Sequence, residues 1–139
     1  MRVVTHSEQE TMSLGARLAE RCTPGTVVAF FGGLGIGKTA FVRGMASVLS
    51  PDACVSSPTF ALVNDYGGET QFVHFDMYRV NGWEDLEVTG FYDYQDAGAI
   101  LAVEWSENIE AALPTDAVRI TFHRLSETER EIVLEGISL

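Results

Sequence analysis

The fold of this 139-residue chain follows from the stretch TVVAFFGGLGIGKT, residues 26–39. Residues 26–31 form a short, continuous run of apolar and β-branched side chains, which is typical of a strand buried on both faces. Residues 32–39 match the pattern G-x-x-x-x-G-K-[ST] in full. Residues 39–49 then carry apolar side chains at helical spacing, namely Phe41, Val42, Met45 and Leu49. The pattern therefore stands between a buried strand and an amphipathic helix.

The residue types in this turn predict a phosphate-binding loop. Glycines permit positive φ, so successive backbone N–H groups can curl around a phosphate. The helix that starts near Lys38 directs the partial positive charge of its N-terminus at the same anion. Lys38 would contact the β- and γ-phosphates, and the Thr39 hydroxyl would bind Mg²⁺. Lys38 is the single lysine of the chain. The predicted nucleotide-binding residues of this loop are Gly33, Leu34, Gly35, Ile36, Gly37, Lys38, Thr39 and Ala40.

Two carboxylates stand where such a loop needs an acid to hold the metal. Asp76 ends the apolar run QFVHFD, residues 71–76, and Glu104 ends the run AILAVE, residues 99–104. The acid usually lies at the C-terminal end of a strand next to the loop. Because the chain has 20 acidic residues, solvated strand ends are the competing interpretation. We predict that Asp76 and Glu104 join Thr39 in metal binding and Lys38 in catalysis.

Four further positions are ambiguous from residue types alone. The hydroxyls of Ser57 and Thr59 would suit a γ-phosphate sensor on a loop after the first helix, and equally a proline-containing turn. Spacing favours packing roles for His74 and Trp105.

The rest of the chain predicts a three-layer α/β domain with a mixed sheet, spanning residues 1–139 as a single domain. Ser7 is expected to cap a helix that runs to about Arg21. The other predicted elements are a hairpin of strands 59–66 and 71–76 turning at 67–68, a helical turn at 83–87, a long loop at 90–98, a central strand at 99–104, and an antiparallel pair at 117–123 and 131–135.

Composition excludes several classes of function. The net charge of −11 argues against direct binding of nucleic acid or an anionic membrane, which would rest on Lys and Arg. No apolar run approaches the ~20 residues of a membrane span, and the first residues, MRVVTHSEQE, lack the apolar core of a signal peptide. Cys22 and Cys54 follow no metal-binding spacing and are expected to be reduced, partly buried thiols of a cytoplasmic protein.

Four segments together resemble one family. GGLGIGKTAFVRG (32–44), SPTFALVNDY (57–66), HFDMYR (74–79) and VEW (103–105) occur in this order and resemble the bacterial TsaE (YjeE) family of tRNA threonylcarbamoyladenosine biosynthesis ATPases. The resemblance covers essentially the whole chain. It implies a small P-loop NTPase fold that binds ATP or ADP and Mg²⁺. It also implies two larger partners, TsaB and TsaD, which install threonylcarbamoyl on adenosine 37 of tRNA, so that this chain meets tRNA only indirectly.

The resemblance also assigns residues. Asp76 falls on the family's Walker B aspartate, Glu104 and Trp105 on its VEW pair, and Ser57 and Thr59 on its switch-like loop. Ser57, Thr59 and Trp105 are thereby expected to join the nucleotide site.

Two loop positions depart from the family's common G-D-L-G-A-G-K-T-T. Gly33 stands in place of an aspartate and Ala40 in place of a threonine, so slow hydrolysis by the isolated chain is expected. These two residues also leave open a nucleotide sensor that does not hydrolyse ATP. A small P-loop kinase is the other alternative, although 139 residues leave little room for a lid and the eight arginines are scattered.

Overall fold

The computed structural model describes residues 1–32, 37–55 and 63–139. In chain order the elements are β1 (Arg2–Thr5), α1 (Glu8–Arg21), β2 (Val27–Phe31), α2 (Lys38–Leu49), β3 (Val63–Gly67), β4 (Phe72–Asp76), α3 (Trp83–Val88), α4 (Phe91–Asp96), β5 (Ile100–Glu104), a 3₁₀ helix (Ser106–Ala112), β6 (Val118–Arg124) and β7 (Arg130–Glu135).

Within these parts of the chain, seven strands form one mixed sheet in the order β1-β7-β6-β2-β5-β4-β3. The four inner strands β6, β2, β5 and β4 run parallel to one another. The outer strands β7, β1 and β3 pair antiparallel with their neighbours. The predicted mixed α/β sheet is confirmed. Since the carboxyl ends of parallel strands meet at one edge of a sheet, β2, β4 and β5 deliver the residues that follow them to the same place.

Each face of the sheet carries its own apolar core, which makes three layers. Alternate strand residues point to opposite faces. On one face the sheet packs against α1 and α2 through Val28, Phe30, Ile100 and Ala102, which meet Leu14, Leu18, Phe41 and Met45. On the other face it packs against α3, α4 and the 3₁₀ helix through Val27, Ala29, Leu101 and Val103, which meet Leu86, Phe91 and Ile109.

The two helices on the first face, α1 and α2, approach so closely that only glycine fits at two positions of their contact. A Cβ atom added at Gly44 of α2 would collide with the carbonyl oxygen of Met12 in α1. A Cβ atom added at Gly15 of α1 would collide in the same way with the carbonyl oxygen of Phe41 in α2. The backbones of the two helices are therefore in contact, and this contact fixes where α2 begins.

The local signals for α1 and for the hairpin are confirmed. The Ser7 hydroxyl accepts a hydrogen bond from the Glu10 N–H at 3.1 Å, as an N-cap should, and α1 ends at Arg21. Strands β3 and β4 pair antiparallel across the turn at residues 68–71. Residues 59–62 of the predicted first strand lie outside the described residues.

The predicted long loop at 90–98 is wrong, because residues 91–96 form α4. Gly90 precedes the helix in the left-handed conformation, with φ of 83°. Phe91 is fully buried and its ring lies 5.7 Å from that of Phe75, while the Tyr94 ring lies 5.8 Å from the same partner. The two aromatic residues occur at helical spacing, so packing on β4 stabilises a helix too short to persist alone.

The expectation for the cysteines is half correct. Burial raises the pKa of the Cys22 thiol to about 11, whereas Cys54 is exposed rather than partly buried. Both are free thiols. Within residues 1–32, 37–55 and 63–139, every helix is too short or too polar to span a membrane.

Candidate functional site

The N-terminus of α2 presents the predicted phosphate-binding lysine. Gly37 precedes the helix with φ of 95°, a left-handed conformation that side chains rarely adopt. Lys38 is the first residue of the helix and is 4% exposed. Its Nζ donates a hydrogen bond to the carbonyl oxygen of Gly32 at 3.1 Å. The ammonium group is therefore held beside the start of the loop that the sequence pattern identifies.

The two predicted carboxylates lie side by side. Strands β4 and β5 are parallel and in register, so Asp76 is paired directly with Glu104 at the carboxyl ends of both. Residues in register on parallel strands point to the same face of the sheet. Asp76 is half-buried, and its Oδ1 accepts a hydrogen bond from the Tyr78 N–H at 2.9 Å. Glu104 is 7% exposed. Both acids therefore lie at one edge of the sheet.

Trp105 connects the lysine to the carboxylates. It directly follows Glu104, and its ring centroid lies 5.4 Å from the Nζ of Lys38, within the range of a cation–π interaction. Its other neighbour is the Tyr78 ring, at 4.9 Å. Trp105 therefore packs between Lys38 and Tyr78, next in sequence to Glu104.

The backbone of Trp105 is strained. Among the described residues it is the only one other than glycine with positive φ, at 58° with ψ of 41°. A left-handed conformation costs an L-residue about 1–2 kcal/mol. Such strain is concentrated at functional sites, where the surrounding structure compensates for it. Here the turn ends β5 abruptly after Glu104 and sets the indole beside Lys38.

His74 lies beside Glu104, a contact that spacing alone did not reveal. It is fully buried, and its Nε2 lies 2.6 Å from Oε2 of Glu104. The sequence did contain one indication of its position. Because alternate residues of a strand point to the same face, His74 must share a face of β4 with Asp76. That Glu104 lies on the same face, beside His74, could not be known without the register of β4 and β5.

Arg130 is a second residue that the sequence analysis missed. Its Cγ lies 3.9 Å from the position that a Cβ atom of Gly37 would occupy. The Nη1 atom donates to the carbonyl oxygens of Ser126 and Glu129 at 2.8 and 2.9 Å. Its Nε is buried and has no hydrogen-bond partner within the described part of the chain. Strand β7 thus places the aliphatic part of the Arg130 side chain beside the glycine that precedes Lys38, from a position some 90 residues away in sequence.

The donor set fits a magnesium ion that is shared with a nucleotide. In the described ranges no group of three or more His, Cys, Asp and Glu side chains could hold a metal alone. Protein-bound Mg²⁺ usually takes only one or two carboxylates, completing its shell with phosphate oxygens and water. Asp76 and Glu104 are such a pair, and Thr39, the second residue of α2, adds a hydroxyl. In a site of this kind the protein supplies only part of the ligands of the metal.

The remaining predicted residues divide into two groups. Ala40 is buried in the first turn of α2, at 3% exposure. The other predicted positions, Gly33, Leu34, Gly35, Ile36, Ser57 and Thr59, lie outside the described residues.

Four features together define a P-loop NTPase fold. They are a buried parallel strand, a glycine-rich sequence after it, a helix that starts with lysine, and acids at the ends of neighbouring strands. Comparison with known proteins identifies the family. The model of the family described as "Threonylcarbamoyl adenosine biosynthesis protein TsaE" matches residues 5–132. The chain belongs to the TsaE family, whose members take part in the biosynthesis of threonylcarbamoyladenosine in tRNA. The resemblance seen in the sequence is confirmed.

Individual relatives match over nearly the whole chain. The TsaE protein of Treponema pallidum (strain Nichols) is 34% identical over 134 residues, covering 96% of this chain and 99% of the relative. That of Bacillus subtilis (strain 168) is 33% identical and covers 96% and 84%. In three dimensions the chain is similar to the crystal structure of Bacillus subtilis YdiB, with a TM-score of 0.79, 30% identity, and coverage of 95% of this chain and 82% of YdiB.

Proposed function

We propose that this chain is a Mg²⁺-dependent ATP-binding and ATP-hydrolysing component of tRNA threonylcarbamoyladenosine biosynthesis. In this proposal it acts in the cytoplasm as a nucleotide switch on the partner proteins that transfer threonylcarbamoyl to adenosine 37. The observation that supports this proposal is the arrangement of one lysine and two acids. The Nζ of Lys38 lies 5.4 Å from the ring of Trp105, and that residue directly follows Glu104, which is in register with Asp76. The lysine that would bind phosphates and the two acids that would bind a metal thus lie at one edge of the sheet.

Each of these residues has a separate task in the proposed reaction. Lys38 binds the β- and γ-phosphates and stabilises the charge that develops between them. Asp76 holds the metal, with its carboxylate oriented by the Tyr78 N–H. Glu104 orients the attacking water or a water bound to the metal. Mg²⁺, when bound, neutralises charge on the phosphate oxygens. Loop residues Ser57 and Thr59 would report the presence of the γ-phosphate to the partner.

The first test separates binding from hydrolysis. We expect Glu104→Gln to lower ATP turnover by about 100-fold or more, because removing a group that stabilises or orients the reacting atoms costs roughly that factor. Asp76→Asn should reduce turnover similarly and weaken the dependence on Mg²⁺. Both variants should keep most of their affinity for ADP, because Lys38 and the loop remain. Phosphate release from ATP, with and without the partners, measures the first effect, and calorimetry with ADP measures the second.

Glu110→Gln is the matched control, since Glu110 lies in the 3₁₀ helix after Glu104 and pairs with Arg119 at 2.8 Å on the surface. Unchanged turnover in Glu104→Gln would contradict its role. ATP binding without hydrolysis, even in the complex, would replace the ATPase by a nucleotide sensor. Transfer of phosphate to a small acceptor would replace it by a kinase.

The proposed partners are TsaB and TsaD family proteins, and the charge of the chain supports an indirect role on tRNA. A net charge of −11 opposes contact with phosphate backbones. Exposed acids such as Glu84, Asp85 and Glu87 of α3 are available for basic surfaces of a protein partner. Association steered by opposite charges is strengthened at low ionic strength.

We expect the complex with TsaB and TsaD to form more readily with ATP than with ADP and to weaken steeply with salt. Surface charges are screened beyond about 8 Å at physiological ionic strength. Co-purification from matched samples at 50 and 500 mM NaCl (roughly a threefold change in screening length), each with ATP or ADP, measures both effects. Association that does not respond to salt would contradict the electrostatic part, and association with bare tRNA in the absence of both proteins would contradict the indirect role.

A further inference from the structure

Two buried polar side chains lie in contact on neighbouring strands behind the nucleotide site. His74 is fully buried on β4, and its Nε2 lies 2.6 Å from Oε2 of Glu104, itself 7% exposed. Buried polar groups of this kind are expensive unless they are hydrogen-bonded. The pair satisfies this requirement internally, and His74 stands between apolar neighbours in the strand sequence FVHFD.

The far side of the imidazole faces β3. The hydroxyl of Tyr66 lies 3.5 Å from Nδ1 of His74, and the two rings are 6.2 Å apart at an angle of 36°. Asn64, on the same strand, approaches the Tyr66 hydroxyl through its Nδ2 at 3.4 Å. The imidazole is therefore enclosed between a carboxylate on β5 and an aromatic hydroxyl on β3.

The chemistry of these groups sets the direction of the bonds. An ionised carboxylate only accepts hydrogen bonds, so Nε2 of His74 carries the hydrogen and donates it to Glu104. Nδ1 faces the Tyr66 hydroxyl. Both nitrogens are thus directed along the sheet, and neither is directed at the start of α2. Within the described residues, His74 reaches the site through Glu104.

We propose that His74 is a positioning residue that holds the Glu104 carboxylate in one orientation at the nucleotide site, an inference that rests on the function proposed above. A glutamate at the end of a strand has three rotatable side-chain bonds, and a group that orients water must be held within about 0.5 Å of its working position. The Nε2 bond fixes one carboxylate oxygen and leaves the other for the reaction. Asp76 is oriented by a different donor, the Tyr78 N–H, so the two acids are held independently.

Two variants of His74 separate its hydrogen bond from its bulk. His74→Phe keeps an aromatic ring in the buried space and removes the donor. His74→Gln carries an amide N–H that can reach the place of Nε2. Phe72→Leu is the control for packing alone, because Phe72 is fully buried on the same face of β4 and is apolar.

We expect His74→Phe to lower kcat for ATP hydrolysis by about 10- to 100-fold, the usual loss when the group that orients a ligating side chain is removed. KM for ATP should change little, and His74→Gln should restore most of the rate. The double variant His74→Phe with Glu104→Gln should be no slower than Glu104→Gln alone, since His74 acts through that carboxylate. Phe72→Leu should lower the melting temperature without this loss of kcat.

A measurement without nucleotide tests the same bond. In long-range ¹H–¹⁵N spectra of protein labelled at histidine, the signal that disappears in His74→Gln belongs to His74. We expect this signal to show an imidazole protonated at Nε2, with a slowly exchanging proton. Glu104→Gln should shift that signal and leave those of His6 and His123 in place. A His74 protonated at Nδ1, or a proton insensitive to Glu104→Gln, would overturn the inference.

The outcomes distinguish this inference from the function on which it rests. A wild-type chain that neither binds nor hydrolyses ATP, alone or with its partners, overturns the proposed function and this inference with it. Normal wild-type turnover that His74→Phe leaves unchanged overturns the inference alone. Losses that multiply in the double variant also overturn it, because they would show that His74 acts independently of Glu104.

Discussion

Lys38→Ala should abolish measurable ADP binding, with a loss of affinity of more than about 100-fold. The lysine is expected to make charge-assisted hydrogen bonds to two phosphates, each worth about 1.5–3 kcal/mol. The chain contains no other lysine that could replace it. Isothermal titration with ADP in the presence of Mg²⁺ measures the loss directly.

The same substitution should leave the free protein at least as stable. The ammonium of Lys38 is 4% exposed and, among the described contacts, is compensated by the Gly32 carbonyl oxygen and the Trp105 ring. A buried charge without an opposite charge lowers the stability of the folded state. The melting temperature without nucleotide should therefore be unchanged or higher, while the increase that ADP produces in the wild type should disappear.

Arg43→Ala is the matched control for Lys38→Ala. Arg43 lies on the same helix, carries the same charge, and pairs with Glu8 at 3.3 Å on the surface. Its removal should change ADP affinity by less than about threefold, since exposed ion pairs contribute little. An affinity of Lys38→Ala within about fivefold of the wild type would contradict the assignment of the phosphate site, because even one lost charge-assisted bond costs more.

Gly44→Ala should destabilise the fold by about 3 kcal/mol, the upper part of the range for overpacking a core. The added Cβ would collide with the carbonyl oxygen of Met12 and lie 3.0 Å from the backbone nitrogen of Ala16. These are backbone atoms of α1, so relief requires the two helices to separate. Urea unfolding measures the change in the free energy of unfolding.

The sign of this effect is diagnostic. In a helix interior without close contacts, replacing glycine by alanine stabilises by about 1 kcal/mol. Gly15→Ala should destabilise in the same way, because its Cβ would meet the carbonyl oxygen of Phe41. Val48→Ala is the control on α2, since that side chain is 39% exposed. A stabilised Gly44→Ala variant would show that the helices are not in backbone contact.

Separation of the helices would also displace the start of α2, so ADP affinity should fall along with stability.

The elements with strong local patterns were predictable. The run at 26–31, the helical spacing after Lys38 and the Ser7 cap each depend on neighbours within one or two turns, and β2, α2 and α1 appear where they were expected. By contrast, β1 and α4 are short elements of four and six residues. Neither has enough local stability to be read from its own residues, because β1 depends on pairing with β7 and α4 on the packing of Phe91 and Tyr94.

For the site, the sequence alone supplied the chemistry of individual groups: a lysine after glycines, a hydroxyl, and two acids after apolar runs. Residue type and local order contain that information, since a glycine-rich turn before a helix can bind phosphate in any fold that buries the strand before it. The tertiary structure decided which groups meet. The register of β4 with β5 pairs Asp76 with Glu104 and gives His74 its carboxylate, and β7 brings Arg130 to Gly37. Register and strand order depend on contacts between residues far apart in the chain, so no local pattern could predict them.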